Sequence, residues 1–235
     1  MAGQLGAAAL PALPALTDAL GDRRQAVRSA AVLALGQMGP AARPAVPALL
    51  EALRDPEIRW RVASTLGAIG PDAAPAVPQL VAALDDAASP VRWQAIQALG
   101  RIGPPARPAA PALVAAARGP EAVVRRDALV SLSRVDADPA LLLGALQRAA
   151  GDEEPAVRRA AAQMLGDLGP AGRAALPALV ALLEDRNEHV RGQAIRSLER
   201  MRPLPEVAER ALARAVAERR RLRDEAHRAA AASPK

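Results

Sequence analysis

A valine or isoleucine followed by arginine recurs at Val27-Arg28, Ile58-Arg59, Val91-Arg92, Val124-Arg125, Val157-Arg158 and Val190-Arg191. The intervals are 31, 33, 33, 33 and 33 residues. A period this regular marks a chain built by stacking one small supersecondary unit, in which no unit can bury its apolar face alone. The core is then continuous along the stack, and each unit touches only its neighbours.

Two further markers run at the same period. Gly-x-(Met/Ile/Leu)-Gly stands at Gly36–Gly39, Gly67–Gly70, Gly100–Gly103 and Gly166–Gly169, each time followed by proline. Pro-x-Leu begins at Pro14, Pro47, Pro78, Pro111 and Pro177. Each unit therefore reads as a helical hairpin. Helix A starts at prolines, which cost nothing in a first turn whose N–H groups lack partners. An acidic turn follows, as at Asp55-Pro56-Glu57 or Asp85-Asp86. It places negative charge and capping oxygens at the start of helix B. Helix B carries the Val-Arg pair and stops at a glycine suited to a left-handed C′ position, with proline behind it.

Composition agrees with an all-α chain. Apolar residues make up 51% but aromatic ones only 1%, and neither Phe nor Tyr occurs, so the core is Ala, Leu, Val and Ile. Alanine and leucine lead the helix propensities. The absence of cysteine excludes disulfides and thiolate metal sites, and it fits a cytoplasmic location. The net charge of +6 comes almost wholly from arginine, since the only lysine is Lys235. Residues 1–202 carry 23 Arg against 20 acids, so the array is close to balanced and bulk charge argues little for nucleic acid. No apolar run reaches the ~18–20 residues of a membrane span. The apolar stretch Ala7–Leu16 lacks a basic flank and aligns with the first unit, so it is assigned there and not to a signal peptide. It leaves an N-terminal face that a partner, a second copy or a longer chain would cover.

The units fall at about 8–40, 41–71, 72–104, 105–136, 137–170 and 171–202, with 203–235 as a C-terminal segment. The second unit is two residues shorter between Leu49 and Ile58, in its inner turn. The fourth ends Ser133-Arg134-Val135-Asp136 in place of Gly-x-x-Gly, and the fifth has Gly144 where proline is expected. A kink or altered stacking angle is expected near residues 133–144. In the last segment, Leu204, Val207, Ala211, Leu212, Ala215, Val216 and Leu222 form a stripe at helical spacing over Glu206 to about Ala230. Its first half should cap the sixth unit. Its second half carries the basic run Arg219-Arg220-Arg221-Leu222-Arg223.

The turn Asp, the Val-Arg pair, an Ala four residues after the Val and a Leu eight after it resemble the HEAT-repeat family. In the third unit these are Asp85/Asp86, Val91-Arg92, Ala95 and Leu99. The resemblance spans about residues 8–202 and implies a right-handed α-solenoid of six helical hairpins plus a C-terminal capping helix. It implies scaffold or adaptor behaviour far more than any one activity. In such arrays the far side of helix B lines the concave surface.

Counting from the marker Val or Ile as 0, positions 0, 4, 5, 8 and 11 are apolar, as in Ile58, Val62, Ala63, Leu66 and Ile69. At about 100° per residue these define the core side and leave positions 2, 6 and 10 opposite. Arginine at position 1 is flanked by core positions. It is read as a strut whose fork is satisfied by turn carboxylates and carbonyls. Position 2 holds both tryptophans of the chain, Trp60 and Trp93, in adjacent units, expected to be exposed and within reach of each other or of one ligand. Arg126 and Arg159 take the same slot further on, Gln97 and Gln163 stand at position 6, and Arg101 and Arg134 at position 10. Arg61, Gln94 and Asp127 line the edge at position 3. Tryptophan and arginine are the types enriched at binding hot spots.

No catalytic, metal or phosphate-loop pattern is present, and no cofactor is expected. The two histidines, His189 and His227, are far apart, and His189 reads as a solvated turn residue. The expected function is therefore a non-enzymatic protein- or peptide-binding scaffold. The alternative is nucleic-acid binding through groove arginines and the basic C-terminal helix. A variant of it follows from the resemblance, because some HEAT-like proteins are DNA glycosylases whose aromatic, acidic and basic residues Trp60, Trp93, Asp127, Arg126 and Arg159 could imitate. The near-neutral array speaks against that variant.

Overall fold

The computed structural model describes residues 10–232, with side chains through Ala226 and at Arg228. Ala7–Ala9 and Lys235 lie outside the described residues. The chain divides into two compact units between Leu142 and Leu143. That boundary falls inside the irregular stretch expected from the sequence.

In the first unit, short and long helices alternate: α1 (Leu13–Ala19), α2 (Gln25–Met38), α3 (Val46–Ala52), α4 (Arg59–Ile69), α5 (Val77–Ala82), α6 (Ser89–Ile102), α7 (Ala110–Ala116) and α8 (Ala122–Arg134). Helix α9 (Pro139–Ala149) contains the division. The second unit continues with α10 (Pro155–Asp167), α11 (Leu176–Ala181), α12 (Glu188–Arg200) and α13 (Glu206–Ala232). No strand occurs among the described residues. The chain is thus an all-α repeat solenoid in class.

The long helices bury the expected side. Ile58, Val62, Ala63, Leu66 and Ile69 are fully buried, and Val91, Ala95, Ile96, Leu99 and Ile102 nearly so. Successive long helices pack against each other, α2 on α4, α4 on α6 and α6 on α8 in the first unit, and α10 on α12 in the second. The first glycine of each Gly-x-x-Gly sits at these crossings. A Cβ on Gly67 would lie 2.8 Å from the Ala98 backbone Cα, one on Gly100 2.5 Å from Ser131 Oγ, and one on Gly166 2.5 Å from Ser197. The sequence reading saw only helix stops in this motif and missed the close approach. The residue met is small in every case. Where it is polar its buried hydroxyl is satisfied: Thr65 donates to the Val32 carbonyl at 3.0 Å, and Ser131 to that of Ile96 at 2.8 Å.

The second glycine does end the helix. Gly39, Gly70, Gly103 and Gly169 all have positive φ. The ψ of Gly39, Gly70 and Gly103 is −131° to −142°, so the conformation is the mirror image of the extended region and not the left-handed helix that was expected. Only glycine enters it freely. At the equivalent place in the unit lacking the motif, Asp136 takes φ 55°, in the left-handed region that Asp tolerates better than most residues. Nor does the chain pause after the glycine. It runs into 3-10 turns at Gly39–Ala45, Gly70–Ala76, Pro104–Ala109 and Gly169–Ala175, and these lead directly into the short helices. Pro44, Pro75 and Pro108 lie in these turns, while Pro47 and Pro78 open the α-helices that follow.

The acidic turns work differently from the expected caps. Asp22, Asp55, Asp86, Asp152 and Asp185 each accept the backbone N–H two residues on, at 2.8–2.9 Å, which closes the turn itself. Asn187 alone of the residues preceding the long helices of the marked units caps with its side chain, accepting from His189 and Val190 N–H. The repeated arginine is the strut expected of it. Nη1 of Arg28, Arg92, Arg125, Arg158 and Arg191 donates to the carbonyls six and five residues back, as in Arg158 to Asp152 at 2.8 Å and Glu153 at 2.9 Å. The rest of the fork reaches a carboxylate of the next turn: Arg28 to Asp55 and Glu57, Arg59 to Asp86, Arg92 to Glu121 and Arg158 to Asp185. Arg59 departs from the pattern. It lies behind the shortened turn, holds Asp86 through Nη2 at 3.0 Å, and leaves Nε without a well-aligned partner.

Helix α13 packs on α11 and α12. Ala208 and Leu212 are its buried anchors, whereas Val207, expected in the stripe, is 78% exposed and Leu222 46%. Leu204, Ala211, Leu212, Ala215 and Val216 are buried or half-buried as the spacing predicts, and Ala208 takes the place expected of Val207.

Two outcomes follow. Gly67→Ala should destabilise by about 1–3 kcal/mol through overpacking, although Gly→Ala in an open helix position gains about 1 kcal/mol. Chemical denaturation of both Gly67→Ala and Gly192→Ala, whose nearest neighbour would be 3.7 Å away, tests the sign difference. The second concerns acid. Arg158 donates from Nε and Nη2 to Asp185 at 2.6 and 2.8 Å, with the side chains only 14% and 6% exposed. Chiefly through that pairing, the Asp185 carboxyl is held below the ordinary carboxylate value. Its contribution is therefore complete above about pH 4 and is lost as pH falls through the lowered folded-state value. Arg158→Ala and Arg92→Ala should each lower stability at neutral pH, by about 1–3 kcal/mol for the more enclosed Arg158. Asp185→Asn should flatten the acid limb of stability against pH.

Candidate functional site

Positions 2, 6 and 10 of the long helices emerge opposite the core, as helix geometry requires. In the first unit this face carries Trp60, Arg61, Trp93, Gln94, Gln97, Arg101, Arg126, Asp127 and Arg134. Arg159 and Gln163 belong to the second unit, where both are exposed. There Gln163 borders a shallow hollow of about 510 Å³ with Gln193, Arg196 and Arg200.

The tryptophans are half-buried and not fully exposed as expected. Each has its own partner. The Arg61 guanidinium carbon lies 4.2 Å from the centre of the Trp60 ring, a cation–π contact worth about 0.5–1 kcal/mol at a partly exposed site. Trp93 instead reaches along the array, and its Nε1 donates to Asp127 Oδ2 at 2.7 Å. The indole edge is thereby fixed while a ring face stays partly open.

Asp127 collects the other donors. Gln97 Nε2 donates to Oδ2 at 3.3 Å, and Arg126 approaches Oδ1 through Nε at 2.9 Å and Nη2 at 2.8 Å. Its side chain is only 13% exposed. The carboxylate is thus charge-balanced and hydrogen-bonded on both oxygens, the condition under which a buried charge is tolerated. The structure joins Trp93, Gln97, Arg126 and Asp127 into one network and pairs Trp60 with Arg61. Gln94 lies beside them, half-buried. Arg101 and Arg134 are exposed and make no ion pair among the described residues. The Asp127 hub was readable only as an edge acid. The sequence clue to its role is the offset of 34 residues from Trp93, one period plus one position, which places it under the indole N–H.

No group of three or more His, Asp or Glu that could hold a metal ion occurs among the described residues. His189 is exposed beside Glu188 at 3.8 Å, solvated as expected but in the first turn of α12 and not in the loop before it. No described helix is long and apolar enough to cross a membrane.

A stack of helical hairpins with an apolar seam and a polar outer ladder defines an α-helical repeat protein. The profile of HEAT repeats matches residues 1–57, 46–133 and 142–232, and the chain belongs to that family. No curated protein sequence matches the chain. Among solved structures it is similar to a designed armadillo repeat protein in complex with the peptide (KR)4, with a TM-score of 0.63 and 19% identity over 80% of this chain and 99% of that one. It is also similar to two engineered proteins from the Northeast Structural Genomics Consortium. One has a TM-score of 0.61 and 19% identity over 80% of this chain and 96% of that chain. The other has a TM-score of 0.62 and 21% identity over 91% of this chain and 64% of that one. At these identities the likeness concerns the fold.

Removing the hub should have a measurable signature. Asp127→Ala leaves Trp93 Nε1 and the Arg126 fork without their acceptor, which should cost about 1–3 kcal/mol. Trp93 emission should shift as its ring is released, and the shift should vanish in the Trp93→Phe background. An unchanged spectrum and melting curve would count against the hub.

Proposed function

We propose that the chain is a non-enzymatic binding scaffold that holds a protein or peptide segment on the first-unit face. The observation that carries this reading is the pairing of fixed aromatic surface with free cations. Trp60 and Trp93 are held by Arg61 and Asp127, and Arg101 and Arg134 stand on the same side with no internal partner. Anchors fixed before binding lose little conformational freedom on association. Unpaired guanidiniums pair with carboxylates in a bidentate manner. The favoured partner therefore carries apolar or aromatic anchors together with acidic side chains.

The family supports a binding role in general terms. The similar designed armadillo protein is in complex with a basic peptide, (KR)4. The arginines here ask for a ligand of the opposite sign. The internal saturation of Asp127 supports a structural rather than a catalytic use of that carboxylate, since both its oxygens are already engaged by side chains of the same face.

The test is affinity capture from a host lysate at about 50 and about 200 mM salt, scoring both protein and nucleic acid. A phosphate-driven complex should weaken by orders of magnitude over that range. The expected result is a discrete protein retained at high salt, lost in the Trp60→Ala/Trp93→Ala variant and weakened by Arg101→Glu/Arg134→Glu, with helicity unchanged. Capture of nucleic acid alone, at low salt only and insensitive to the tryptophans, overturns the proposal.

A further inference from the structure

The second unit contains a cleft of about 780 Å³ between α12 and the capping helix α13, within the size range of pockets that enclose ligands. Its apolar lining includes Leu183, Ile195, Val216 and Leu222. The first two are buried, but Leu222 is among the large apolar side chains that remain exposed. Its cationic lining is Arg191, Arg219, Arg220 and Arg223, against the acids Glu188 and Glu218. Glu218 is already taken by Arg221 at 2.7 Å, while Arg219 and Arg220 make no ion pair among the described residues.

One residue keeps the cleft open. Gly192 occupies position 2, the slot filled by Ser29, Trp60, Trp93, Arg126 and Arg159 elsewhere. A Cβ there would meet only Arg196 Nη1 at 3.7 Å and the Arg219 guanidinium at 3.9 Å. The glycine is therefore not required by backbone strain or by a helix crossing. Its effect is to let the Arg219 guanidinium pack directly on α12, where any large side chain would displace it.

The geometry points to a second binding site here, for an acidic amphipathic peptide segment. Its apolar side chains would cover Val216 and Leu222, and its carboxylates would pair with Arg219 and Arg220. Charge complementarity selects the partner: Arg219 and Arg220 are left without an ion pair among the described residues, and the cleft lining holds four arginines against two acids. The aliphatic lining favours a peptide over nucleic acid: His189 is the one ring among the lining residues, no Trp, Tyr or Phe joins it, and a strand tracked base by base needs successive stacking platforms. This site uses different residues from the first-unit face and stands or falls without it.

The test measures fluorescence anisotropy of a dye-labelled synthetic peptide of alternating glutamate and leucine against the full chain. The controls are the matching lysine–leucine peptide and a labelled oligothymidylate. The acidic peptide should bind and the other two should not. Gly192→Trp should weaken binding by about tenfold or more, equivalent to ~1.4 kcal/mol, as should Arg219→Glu/Arg220→Glu. Gly192→Ala, which adds only a methyl group at ordinary contact distance from Arg196 and Arg219, should bind as the wild type does. Trp60→Ala/Trp93→Ala should also leave it unchanged, which separates this site from the first-unit face. No binding of the acidic peptide, binding indifferent to Gly192→Trp, or equal binding of oligothymidylate overturns the inference.

Discussion

How closely two successive long helices can approach governs everything else in this chain. Units with so few bulky side chains cannot fill a wide seam, because the core is alanine, leucine, valine and isoleucine. The seam must be thin, and the chain makes it thin by placing glycine against a small residue at four crossings. Gly36 meets Thr65, Gly67 meets Ala98, Gly100 meets Ser131 and Gly166 meets Ser197. Dispersion contacts gain only ~0.1–0.2 kcal/mol each and fade steeply with a gap. An alanine-rich interface is therefore cohesive only at short range. The same spacing lets the Thr65 and Ser131 hydroxyls reach a carbonyl on the preceding helix, so close packing and polar satisfaction come from one device.

The arginine strut answers a different need. Each inner turn presents carbonyls that no helix hydrogen bond uses, and each is followed by a carboxylate of the next turn. One guanidinium has enough donors in a fixed fork to serve both. Arg158 does so with two carbonyls and both oxygens of Asp185. The cost of enclosing the charge is offset only because the fork is filled, which is why the shortened turn before Arg59 matters. Among the described residues that arginine makes no carbonyl contact like those of the other struts, and its Nε, 3.0 Å from Asp86 Oδ2, is not well aligned with it.

Much of this was legible because a repeat states its own rules several times. The period gave the hairpins, the apolar side of the long helices and the strut, since Val-Arg recurs where only a half-enclosed cation fits. Other features were not legible, for physical reasons. Glycine has several uses, and nothing local in Gly-x-x-Gly separates a helix end from a close approach. The distinction lies in a residue about 31 positions away. The acidic turns carry good capping residues, but whether an Asp closes its own turn or caps the next helix depends on backbone angles. The tryptophans were placed on the right face and given the wrong surroundings. An indole N–H half out of water seeks an acceptor, and Asp127 lay one period and one step away.

The ladder of position 2 shows how such an array acquires function without altering its frame. Positions 0, 4, 5 and 8 are held by packing and position 1 by the strut, so neither can vary freely. Position 2 is bound by neither constraint, and it ranges over Ser29, Trp60, Trp93, Arg126, Arg159 and Gly192. In the first unit it supplies aromatic surface fixed from beneath by Arg61 and Asp127. In the second it supplies a glycine on which the Arg219 guanidinium packs. Ser133 stands where the close-approach glycine would be and Met164 where its small partner would be. The sequence thus interrupts the series of glycine and small-residue pairs once. Binding surface and packing seam are written in separate registers of one period, and a change in one register leaves the other intact.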